Sequence, residues 1–132
     1  MNQSAFTAGG GAASPLPIVF EFFAGGSILQ AGGITNSVEV RTAGTIGSWS
    51  LFVRADDGAC SVALDILKTS VGSYGAGTSI VAAAAPGMIL SKSASSSTLT
   101  GWTTAVSVGD VFYARIITLV GSIRGLTLEL RA

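Results

Sequence analysis

Leu126-Thr127-Leu128-Glu129-Leu130-Arg131, close to the end of the chain, alternates apolar and polar residues without a break, and Ser37-Val38-Glu39-Val40-Arg41 does the same. A period of two puts every second side chain on one face of a pleated strand. Each run therefore predicts a strand with one buried and one solvated face. Working outward from residues 126–131, the same pattern recurs along the chain. Residues 123–131 and 111–119 read as the last two strands, with Gly121 and Gly109-Asp110 as turns. Residues 99–103 read as a strand, 91–97 as a polar loop, and 80–85 as a strand or irregular segment. Residues 61–68 place Val62, Leu64 and Ile66 inward and Asp65 outward. Residues 46–54 carry Trp49, Leu51 and Val53 on one face, and Asp56-Asp57-Gly58 between these two strands suits a tight hairpin. Residues 38–41 form a short strand, and 27–30 a short piece between glycine pairs. Residues 18–23 follow Pro15 and Pro17, which suit the start of a first or edge strand.

About eight strands with no long helix between them predict an all-β protein, an antiparallel β-sandwich of jelly-roll-like form. Residues 1–15 are mostly small and glycine-rich, with Phe6 the large apolar side chain beyond Met1. Such a segment buries too little to offset its ordering entropy. The expected organisation is a flexible N-terminal arm over 1–15 and one β-sandwich domain over 16–132, with Phe6 as an anchor if the arm docks on a neighbour.

The chain has 132 residues, of which 48% are hydrophobic and 11% charged. Ordinary domains use about 25% charged residues. Much of this surface is therefore Ser, Thr, Gly and Ala, or is covered by neighbouring molecules. Seven basic and seven acidic residues cancel. No net field draws the chain to nucleic acid or an anionic membrane, and no long-range repulsion keeps copies apart. No apolar run reaches the roughly 20 residues of a membrane-spanning helix. The absence of Lys and Arg before Arg41 argues against a secretory signal, so folding in a cytoplasm is expected.

The reactive inventory is small. There is no histidine, and one cysteine, Cys60, sits among apolar neighbours as a core residue would. Metal binding would rest on carboxylates such as Asp56-Asp57, which read more simply as a solvated turn. Glu21, Glu39, Asp65 and Glu129 fall at outward mid-strand positions, and nothing in the sequence gathers two of them for acid–base work. Serines have no histidine base and no nucleophile elbow. The glycine clusters lack the lysine of a phosphate loop. The expectation is a protein that is not an enzyme and uses no cofactor. The candidate partner-binding residues are aromatic: Tyr74 and Trp102 lie in or beside loops, where a ring can stack on sugar or anchor an interface.

Three segments carry a resemblance: residues 20–32 (FEFFAGGSILQAG), residues 97–111 (STLTGWTTAVSVGDV) and residues 123–130 (IRGLTLEL). In this order, with Trp49 and residues 62–68 between them, the chain resembles a small jelly-roll-like β-domain of tailed-bacteriophage virion proteins. The likeness spans about residues 18–131. It departs after Lys68, where a polar, proline-bearing loop is replaced by a Gly- and Ala-rich one. The resemblance implies a non-enzymatic virion component that assembles as a homotrimer. Since no fibre shaft or heptad stem accompanies the domain, the expected role is a capsid decoration (cement) protein. Its partner would be the major capsid protein and its place the capsid exterior. The alternatives are a tail-tip or fibre module that recognises host surface glycan, and a bacterial carbohydrate-binding or adhesion module outside phage.

Overall fold

The computed structural model describes residues 16–23, 29–55, 60–72, 77–81, 85–91 and 93–132. Its strands are β1 (Ile18–Phe23), β2 (Val38–Glu39), β3 (Gly44–Thr45), β4 (Ser48–Ala55), β5 (Cys60–Ser70), β6 (Thr78–Ser79), β7 (Gly87–Ser91), β8 (Ser93–Ser96), β9 (Ala105–Val106), β10 (Asp110–Val120) and β11 (Ile123–Arg131). All pairings are antiparallel, and the described residues contain no helix.

The pairings nest like a long hairpin. Ile18 faces Leu130, Val38 faces Phe112, Gly44 faces Val106, Trp49 faces Ser96, and Val62 faces Met88. Rolling this ribbon on itself adds a second set of pairs, β11 with β4 and β10 with β5. Two main sheets result, ordered β1-β11-β4-β8 and β2-β10-β5-β6, with β7 also on β5, and β3 pairs β9 as a small third sheet. This is the double-sheet jelly roll. Consecutive long strands therefore cross between sheets. β4 and β5 are not the tight hairpin expected around Asp56-Asp57-Gly58, and that turn lies outside the described residues.

Alternation places the core between the sheets. Ile18, Phe20 and Phe22 of β1, Trp49, Leu51 and Val53 of β4, and Leu126, Leu128 and Leu130 of β11 meet Val62, Leu64, Ile66, Phe112, Ala114 and Ile116 of the facing sheet, all buried in one cluster. Fully burying a side chain of this size is worth about 1.5–3 kcal/mol. Two further expectations need correction. Residues 91–97 are not a loop: β8 pairs with β4 as an edge strand. Its serines suit that place, because an edge faces solvent on one side and polar residues discourage pairing with other chains. Residues 99–103 are not a strand. Trp102 N–H donates to Leu99 O at 3.1 Å with Gly101 at φ +81°, the arrangement of a type II turn. The same device, Asp110 N–H to Ser107 O with Gly109 at φ +92°, introduces β10 as expected.

Candidate functional site

The outer face of the first sheet can be written as rows across its strands. Phe20, Leu128, Leu51 and Ala94 form an inner, apolar row. The next row points out and runs Glu21, Thr127, Phe52, Ser93. One pleat further on, the outward row is Val19, Glu129, Ser50, Ser95. Gly125 and Arg54 pair on one flank, Arg131 and Ser48 on the other. Among the described side chains of this face, one phenylalanine thus stands in a field of hydroxyl, carboxylate and guanidinium groups. Phe52 is 54% exposed.

Two clefts flank its ring. One, of about 260 Å³, is walled by Glu21, Phe52, Arg54 and Thr127, with Gly125 in its lining. A Cβ at Gly125 would stand 3.7 Å from Arg54 Nε, so the guanidinium lies close to bare backbone. The other, of about 400 Å³, is lined by Ser50, Phe52, Ser93, Ala94, Ser95 and Arg131. Within it Ser50 is 5% exposed and its hydroxyl has no hydrogen-bond partner. Arg131 Nε donates to Glu129 Oε1 at 2.5 Å, two residues apart on the same face.

The outer face of the second sheet differs. Arg115 and Asp65 form a 3.5 Å ion pair between β10 and β5, and Ser79 Oγ donates to the same carboxylate at 2.5 Å. Around this pair Ile34 bridges to Arg115, and Ile34, Ile117 and Val120 are exposed. Lys68 lies 3.6 Å from Asp110, and Arg41 lies 3.7 Å from Glu39. Glu39, Asp65, Asp110 and Glu129 are thus each held by a cation, an arrangement that serves structure. Among the described residues no three His, Cys, Asp or Glu side chains group as metal ligands.

The expected binding residues fare as follows. Phe6 and Tyr74 lie outside the described residues. Trp102 is a correction: at 8% exposure it belongs to the core, because the type II turn tucks its ring inward near Ile80 and Val106. Thr103 N–H donates to Ile80 O at 2.8 Å and anchors that turn. A buried ring offers no face to a partner. Among the described residues the exposed aromatic is Phe52, and the sequence carried a signal for it. It sits between Leu51 and Val53, out of phase with the inward Trp49, Leu51 and Val53.

Comparisons with protein-family models, curated protein sequences and solved structures return no match.

Proposed function

We propose that this chain is a non-enzymatic structural protein of a tailed-phage virion, a decoration protein that binds the outer capsid shell as a homotrimer. The observation that carries the reading is the distribution of exposed apolar side chains. Ile34 and Ile117 flank an ion pair on the outer face of the second sheet, and Val120 is exposed further along the same strand as Ile117. An outer face so equipped is suited to meeting a neighbouring protein. The ion-paired carboxylates and the near-absence of reactive groups agree with a building role. Multivalent attachment converts modest single contacts into durable binding.

Labelling intact phage with antibody to this chain tests the proposal. Gold spread over the heads is the expected result, and particles without label overturn it. Deleting residues 1–15 should weaken binding to the shell and leave the β-domain folded by circular dichroism. Unchanged binding would remove the arm from the attachment mechanism.

The second reading is a tail-tip or fibre module for host glycan. Phe52, rather than Trp102, favours it, and label confined to the tail tip would establish that location.

A further inference from the structure

We infer that the outer face of the first sheet around Phe52 is a binding site for a neutral glycan, with Phe52 as its stacking platform. The inference does not depend on where in a particle the chain resides. A sugar ring presents C–H faces encircled by hydroxyls. Its recognition needs an exposed aromatic ring with hydrogen-bonding groups close on either side. Phe52, 54% exposed, meets that need, with Thr127 and Ser93 directly across from it on the neighbouring strands.

The two clefts share the Phe52 ring as a wall. The first offers Glu21, Arg54 and Thr127; the second offers Ser50, Ser93, Ser95 and Arg131. The Ser50 hydroxyl, buried in the lining of the second cleft without a partner, is a feature a protein interior normally avoids. It is a hydrogen-bonding group the chain by itself leaves unanswered.

Charge selects the ligand class. Glu21 and Glu129 balance Arg54 and Arg131 on this face, and Glu129 is already bound by Arg131. Neither a polyanion nor a polycation is favoured. A protein partner is less well matched, since docking surfaces concentrate several apolar anchors at their centre. Among the described side chains of this face, Phe52 is accompanied by Val19 alone as an exposed large apolar group, at 37%.

The test uses the full chain in native gels carrying dextran, mannan, laminarin or galactan, followed by amide NMR titration with a short oligosaccharide of the retarding polymer. The expected result is retardation in at least one gel, with shifts confined to residues 19–21, 48–54, 93–96 and 125–131. Phe52→Ala should weaken the affinity at least about tenfold, a change of about 1.4 kcal/mol, with its circular dichroism and thermal midpoint retained. Phe52→Tyr, which keeps the ring, should still bind. Passage through all of these gels without retardation overturns the inference, as does retardation that Phe52→Ala leaves intact. If no polymer binds and Phe52→Ala instead abolishes attachment to capsid shells, the face docks protein and the glycan assignment fails. Particle labelling, measured separately, leaves this outcome untouched.

Discussion

Thr35 shows how one side chain can replace a piece of strand. Its N–H donates to Ala114 O at 2.9 Å, and its Oγ1 accepts from Ala114 N–H at 2.8 Å while donating to Asn36 O at 3.0 Å. Thr35 is 9% exposed, so water does not compete for these groups. Thr35→Val keeps the shape but leaves the buried Ala114 N–H unpaired. The expected loss is about 1–3 kcal/mol in urea unfolding, and a change under about 0.5 kcal/mol would show that another group takes over the bond. Trp102 and Phe52 make the complementary point about aromatic side chains. Both are flanked by Ser, Thr or aliphatic residues in sequence, yet one is enclosed and the other stands in solvent. Local composition does not distinguish them; the direction each backbone segment gives its side chain does.

β10 carries the element-scale lesson. Ile116 pairs with Leu64 and Thr118 with Ala63, so Ile117 is an extra residue, a β-bulge. Before the bulge Phe112, Ala114 and Ile116 point inward; after it the phase reverses, leaving Leu119 against the core and Val120 exposed. The bulge also exposes Ile117 beside the Arg115–Asp65 pair. Deleting Ile117 removes the extra residue and restores unbroken alternation, with Leu119 still opposite Val62 and facing the core. It should therefore cost under about 1 kcal/mol of stability in urea unfolding. Ile117→Thr, which keeps the residue count, should unfold within about 0.5 kcal/mol of the parent. A loss of more than about 2 kcal/mol on deletion would mean that the bulge itself, rather than the pairing it interrupts, holds this part of the core. A second bulge, between Ile123 and Gly125, reverses the phase of β11 in the same way. It lets Leu126, Leu128 and Leu130 share the inner face with Ile123.

At the scale of the whole molecule, the nested ribbon makes the two sheets one cooperative unit. A single cluster joins Phe20 and Leu128 of the first sheet to Leu64 and Phe112 of the second. Trp49 lies on β4, and Trp102 lies in the turn preceding β9. Tryptophan fluorescence and far-UV circular dichroism should therefore report coincident unfolding transitions in urea. Separated midpoints would show that the β3–β9 end, with the Trp102 turn, melts on its own. Most pairings join residues distant in sequence, which places this chain among the slower-folding small domains.

The sequence by itself determined the class of fold, because strict alternation over residues 126–131 and 61–68 leaves little but one-sided strands. It also determined the inward residues of β4, β5 and β11, the glycine turn before β10, and the scarcity of reactive groups. Tertiary structure decided the rest. Which strands pair is a matter of how the ribbon rolls, and alternation is silent on partners; hence β4 and β5 cross between sheets. Residues 93–96 became a strand because β4 offered them an unpaired edge, against their own serine-rich character. Residues 99–102 became a turn because Gly101 could take a positive φ and so bury Trp102. The outward position of Phe52 was implicit in its phase. The polar field and the two clefts that make it a candidate site arise only when β1, β11, β4 and β8 lie side by side.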